Sequence, residues 1–161
     1  MKTSGTSELM LAATAANGLL AGASLDQSIK QLPARHKIGL SNYSRYMRAS
    51  DLDNGVPWYA ALGMGAAALT IATAISALSY ERRSRRARPL YLAAVLSVLH
   101  SFATSQAAPT AFSQHAIALS DEASLAQMFD RFERWQTIRA TLQVSTLGAM
   151  IWALLESIDE A

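Results

Sequence analysis

The stretch from Gly55 to Tyr80 carries no charged side chain on any face. A soluble helix of this length needs a polar outer face, whereas about 20 consecutive apolar residues are enough to cross the hydrocarbon core of a bilayer. Trp58 and Tyr59 near one end and Tyr80 at the other are typical of the aromatic anchors at the two membrane interfaces. The stretch therefore predicts a transmembrane helix and argues against a soluble, alanine-rich bundle.

Three more stretches without Asp, Glu, Lys or Arg alternate with charged segments: Leu9–Leu25, Pro89–Ser120 and Ala140–Leu155. Only 16% of the residues are charged, against about 25% in a typical soluble domain. The four stretches predict transmembrane spans at about residues 8–25, 57–80, 89–108 and 138–156. The expected fold class is all-α, an integral membrane four-helix bundle that forms one domain over residues 1–161.

The connector between the first two spans, residues 26–56, is polar and basic but has apolar residues at helical spacing. These residues are Leu40, Tyr43, Tyr46 and Met47. The pattern is typical of an amphipathic helix that lies on the membrane surface.

The chain before the last span predicts an unusually long final helix. Acidic residues stand at its start, where a first helical turn favours them. A stripe of apolar residues at helical spacing then continues into the span. The helix should therefore extend outside the bilayer over residues 121–137, and its Phe129, Phe132 and Trp135 should pack against the connector.

The hairpin between the second and third spans, residues 81–88, contains five arginines. Basic loops face the cytoplasm by the positive-inside rule, so four spans place both termini in the cytoplasm, and a bacterial inner membrane is the expected location. The connector also has basic residues, but they are spread out and mixed with acidic ones. The first span, which ends near Ala21-Gly22-Ala23, also fits a cleaved signal peptide, and that alternative leaves three spans.

Composition and missing motifs exclude several functional classes. The chain has no cysteine and therefore no disulfide, thiolate metal site or cysteine nucleophile. It has no phosphate-binding loop, dinucleotide-binding glycine motif or zinc-protease motif. A net charge of +2 is too small to indicate a nucleic-acid partner, and basic residues beside apolar runs favour membrane lipids as partners.

The three histidines leave one alternative open. His36, His100 and His115 could all lie toward the outer side of the membrane, where they could bind a metal or a haem. Their spacing matches no common ligand pattern, so neither a metal nor another cofactor is predicted.

Polar residues inside the spans are the main candidates for function, because placing them in lipid is costly. His100 and Thr104 share one face of the third span, and Arg139 and Gln143 share one face of the fourth. Asn17 lies midway along the first span. These faces predict one polar pocket between the first, third and fourth spans.

In this pocket, His100 and Arg139 are the predicted catalytic residues. Arg139 would stabilise an anionic phenolate or enolate, while His100 would accept or donate a proton. The residues predicted to bind the substrate are Asn17, Thr104, Gln143 and Trp135. The alternative is that such polar groups only hydrogen-bond between helices, which contributes roughly 0.6 kcal/mol each.

Short motifs along the chain resemble a family of small four-span membrane proteins that includes the fungal anthrone oxygenases. The motifs are Gly18…Gly22-Ala23, Pro33-Ala34-Arg35, Pro109 and Trp135…Arg139. The resemblance implies a four-helix bundle and the oxygen-dependent oxidation of a polycyclic phenol without a cofactor.

Two positions depart from the family pattern. Thr110 follows Pro109 where the family has an Asn, and Ile138 precedes Arg139 in a segment where the family often has Asn or His. If those polar groups bind substrate in the oxygenases, this chain has kept the scaffold and lost the activity.

Three functions follow as hypotheses. The first is an anthrone-oxygenase-like oxidoreductase that acts on a lipophilic phenol or quinol. The second is a non-catalytic accessory or assembly subunit of a larger membrane complex. The third is a membrane protein that binds a lipid or a quinone. The sequence leaves open whether the protein is an enzyme.

Overall fold

The structure is a computed structural model that describes residues 5–80 and 83–159. Within these ranges the fold is all-α and contains no strand. Its helices are α1 (Gly5–Leu25), α2 (Leu32–Ile38), α3 (Leu40–Met47), α4 (Val56–Tyr80), α5 (Ala87–Ser113) and α6 (Glu122–Asp159). A 3₁₀ turn, Gln114–Ala116, follows α5.

The four long helices form a closed bundle. Helix α4 packs against α1 and α5, and α6 packs against α5 and α1, so each long helix has two neighbours in the ring. The predicted all-α four-helix bundle is confirmed.

The same four helices are long and apolar enough to cross a membrane. Trp58 and Tyr80, near the two ends of α4, expose 79% and 85% of their surface, as residues at the two membrane interfaces do. The protein is therefore an integral membrane protein. Of the arginine-rich hairpin, residues 81 and 82 lie outside the described residues.

The connector differs from the separate surface helix that its sequence suggests. The π-helical segment Asp26–Gln31 joins α1 to α2, and a second one, Arg48–Gly55, joins α3 to α4. The helical backbone turns back only at Gly39, where φ is 84°. A glycine suits this position because other residues rarely adopt positive φ. The connector is thus a helical hairpin that prolongs two spans.

The apolar face of this hairpin packs against α6. Tyr43 and Phe129 are both fully buried, with ring centroids 5.0 Å apart in an edge-to-face arrangement. They belong to a hydrophobic cluster that we call the cap, whose buried members are Leu32, Tyr43, Met47, Ala107, Ala111, Leu125, Met128, Phe129 and Phe132. Trp135 is partly buried against it. The predicted packing of the final helix on the connector is confirmed, although Tyr46 stays 49% exposed.

Polar contacts hold the hairpin in place beside the cap. Arg35 of α2, only 4% exposed, donates through Nη2 to Asp130 Oδ1 at 2.8 Å and to Glu133 Oε2 at 2.6 Å. Arg48 donates to the backbone carbonyls of Gln114 and Ile117. These bonds fix the hairpin over the end of the bundle, and a cavity lies beneath it.

Candidate ligand-binding cavity

A cavity of about 190 Å³ lies where the hairpin meets the four long helices. Its walls are mostly apolar and include Leu20, Met47, Leu52, Val56, Phe112 and Phe132. Its polar lining residues are Ser24, Gln27, Asp51, Tyr59, Thr104 and Arg139. An apolar pocket with a few convergent polar groups is the usual form of a site for a small molecule.

Arg139 is the most informative group in the cavity. Arg139 lies three residues after the buried Gln136 and so shares the inward face of α6, and its side chain lines the cavity. The side chain makes no hydrogen bond or ion pair with any residue in the described ranges, and its Nε atom is buried without a partner. The residue as a whole is partly exposed, and a partly buried cation without a partner still loses hydration that no described residue of the cavity replaces. A ligand with an anionic or hydrogen-bond-accepting oxygen would remove that cost.

His100 lies close to this site but does not line it. The residue is 5% exposed, its Nε2 has no partner among the described residues, and it lies within electrostatic range of Arg139. One turn further on, Thr104 does line the cavity, and its hydroxyl donates to the His100 carbonyl at 2.9 Å. Of the predicted catalytic pair, only Arg139 reaches the cavity wall.

Asn17 and Gln143 do not line the cavity, although both are predicted substrate ligands. Asn17 Nδ2 donates to Thr70 Oγ1 at 2.8 Å, and Gln143 Nε2 donates to Asn17 Oδ1 at 2.8 Å. These buried bonds join α1, α4 and α6. The structure therefore assigns both side chains to interhelical hydrogen bonding.

Trp135 and the other histidines also lie away from the cavity walls. Trp135 packs against the cap, and His36 and His115 are exposed on α2 and on the 3₁₀ turn. In the described part of the chain, no group of three or more His, Asp or Glu side chains is arranged to bind a metal ion.

Asp51 is a cavity residue that the sequence reasoning missed. It is 8% exposed, and its carboxylate accepts hydrogen bonds from Gln27 Nε2 at 2.9 Å and from the Ser50 hydroxyl at 3.3 Å. Its position was detectable, because residues 43, 47 and 51 recur at intervals of four and so share a helix face.

The cavity reaches the surface of the bundle beside α4 and α5. The fully buried residues of α4 begin only at Ala66, so its first turns stand at the edge of the bundle. Tyr59 is 38% exposed and Phe112 of α5 is 45% exposed, and both line the cavity. These partly exposed aromatic side chains leave an opening at the surface of the bundle, close to the membrane interface that Trp58 marks. A lipophilic molecule could enter through it.

Comparison with known proteins gives no family assignment. The chain matches no protein-family model, no curated protein and no solved structure.

Proposed function

We propose that this protein binds a lipophilic phenol or quinol at the membrane interface, with an oxygen of the ligand at Arg139. The unpaired guanidinium in a cavity with mostly apolar walls is the observation that carries the proposal. A guanidinium has only donors to offer, and it suits oxygen acceptors, whether neutral or anionic.

The cavity walls favour an aromatic head group. Phe112, Phe132 and Tyr59 present rings to the cavity, and aromatic pairs prefer stacked or edge-to-face contacts. A volume of about 190 Å³ is below the roughly 300–1,000 Å³ of pockets for drug-sized ligands. The cavity thus holds a ring head, while an apolar tail stays in the opening beside α4 and α5.

Oxidation of the bound molecule is the second candidate, as the anthrone-oxygenase resemblance implies. Its support is the position of His100, a proton-transfer group within electrostatic range of Arg139. Because His100 lies behind the cavity wall, the geometry supports binding more directly than catalysis. A second test therefore follows binding: turnover of the bound phenol under oxygen, with and without His100→Gln.

The test of binding is the variant Arg139→Gln in lipid nanodiscs, with 4-dodecylphenol as the probe. We expect affinity to fall about tenfold or more, because a hydrogen bond to a charged group contributes about 1.5–3 kcal/mol. Arg134→Gln is the matched control, since Arg134 is an exposed arginine on the same helix. The measurement is probe retained by protein-containing nanodiscs beyond that in empty ones.

Two outcomes would contradict the proposal. Wild-type protein could retain no more probe than empty nanodiscs do, or Arg139→Gln could bind as tightly as wild type. In either case the accessory-subunit hypothesis becomes the better one, and the protein should then copurify in mild detergent with other membrane proteins.

We also propose the orientation with both termini in the cytoplasm of a bacterial inner membrane. Arg83, Arg85, Arg86 and Arg88 support it, because basic residues favour the cytoplasmic side. Reporters fused after Ala161 or inserted within residues 81–88 should read cytoplasmic, and one inserted within residues 117–121 should read external. The opposite pattern at all three sites would reverse the orientation.

A further inference from the structure

The cavity holds two opposite charges that do not pair with each other. Asp51 and Arg139 both line it, yet no ion pair joins them in the described ranges. Within residues 5–80 and 83–159, the hydrogen-bond partners of Asp51 are the neutral side chains of Gln27 and Ser50. Asp51 is buried and Arg139 is partly buried, so both lose hydration without gaining a counter-charge from each other, and a polar ligand in the cavity would offset that cost.

We propose that Asp51 accepts a hydrogen bond from a second hydroxyl of the ligand, so that the site selects an aromatic diol in its reduced, quinol form. This inference rests on the proposed function, since it places the first oxygen of the same ligand at Arg139. Asp51 is then a specificity-determining residue: it accepts a hydrogen bond from the ligand, whereas the Arg139 guanidinium donates one.

The chemistry of the two side chains, with Asp51 ionised, favours a quinol over the alternatives. A guanidinium only donates hydrogen bonds, and a carboxylate only accepts them. A quinone has acceptors alone, so its second oxygen would face the Asp51 carboxylate with no proton between them. A phenol with one hydroxyl leaves either Arg139 or Asp51 without a hydrogen bond to the ligand. A quinol supplies an acceptor for Arg139 and a donor for Asp51 at once.

The surroundings of Asp51 support this assignment. Its carboxylate has room for more than two hydrogen bonds, and the residue is more than nine-tenths buried on the cavity wall. Tyr59 lies within electrostatic range of both Asp51 and Arg139 and forms part of the exposed rim. A ligand beside Tyr59 therefore lies in the part of the cavity that both charged groups line.

A simpler role for Asp51 is to tie the hairpin together through Gln27. That bond joins the two π-helical segments, Asp26–Gln31 and Arg48–Gly55. If Asp51 is purely structural, its replacement should weaken the binding of every ligand by the same factor. A specificity-determining Asp51 changes the ratio between ligands, and the experiment measures that ratio.

The experiment compares decyl-1,4-benzoquinol, kept reduced under argon, with decyl-1,4-benzoquinone in the same nanodiscs. Wild-type protein should bind the quinol about tenfold more tightly, as expected for one hydrogen bond to a charged group. Asp51→Asn should lose most of this preference, because an amide also donates to a quinone oxygen. Asp53→Asn, an exposed neighbour on the same segment, should keep it.

The outcomes separate this inference from the proposed function. Equal wild-type affinity for the two probes overturns the quinol selection, and this measurement does not depend on any variant folding. An unchanged preference in Asp51→Asn also overturns it. If phenol binding still depends on Arg139 in these cases, the proposed function stands and only the role of Asp51 is wrong. Absence of Arg139-dependent binding by any probe overturns the proposed function itself.

Discussion

Phe129→Asp should destabilise the protein by roughly 4 kcal/mol or more, the largest loss that we expect from a single substitution. Removing a buried phenylalanine costs about 3–5 kcal/mol through lost apolar contact and the cavity left behind. The new carboxyl adds the cost of a polar group without a partner. Phe129 is fully buried in the cap and packs edge-to-face on Tyr43. The measurement is thermal unfolding of purified protein in mild detergent.

Two control variants separate the causes of this loss. Phe129→Leu keeps an apolar side chain and should lose much less stability. Gln127→Asp adds the same charge at an exposed position of the same helix and should leave stability nearly unchanged. Wild-type stability of Phe129→Asp would show that the cap is loosely packed, and the connector hairpin would then be free to bind a partner.

The cap shows which part of the fold could be predicted from sequence. Each transmembrane span can be predicted on its own, because a stretch such as Gly55 to Tyr80 lacks charged residues along its whole length. The contact of α6 with the hairpin was predictable from its apolar stripe, since a continuous stripe outside lipid needs a cover. The direction of the hairpin was not, because it depends on one turn at Gly39 and on helical continuity through polar residues.

The candidate site was predictable only in part for a related reason. Helical periodicity places Arg139 and Thr104 on inward faces, and both line the cavity. Periodicity does not say which inward residues already have partners. Asn17 and Gln143 are bonded to each other and so are not free for a ligand. For Asp51, the spacing puts the residue on the helix face of Tyr43 and Met47, but only the hairpin geometry shows that this position lines the cavity.

The protein should lose more stability when Asp130 and Glu133 are removed from the ion-pair cluster at Arg35 than when Arg35 itself is removed. The guanidinium is 4% exposed, whereas the side chains of Asp130 and Glu133 are 61% and 40% exposed. Removing both carboxylates with Asp130→Ala and Glu133→Ala leaves a buried cation with no counter-charge. Such a loss costs about 3–5 kcal/mol for a fully buried pair, and we expect about 3 kcal/mol here because water reaches the acids.

Arg35→Met should cost less, about 1 kcal/mol, since the two carboxylates that remain are hydrated and surface pairs contribute little. A variant with all three substitutions should resemble Arg35→Met, because removing the buried cation removes the need for its partners. Thermal unfolding of the three variants gives the comparison. Equal losses in the arginine and the carboxylate variants would mean that Arg35 is hydrated. The contact of Arg35 with Asp130 and Glu133 of α6 thus gives this arginine a structural role in holding the hairpin on the final helix.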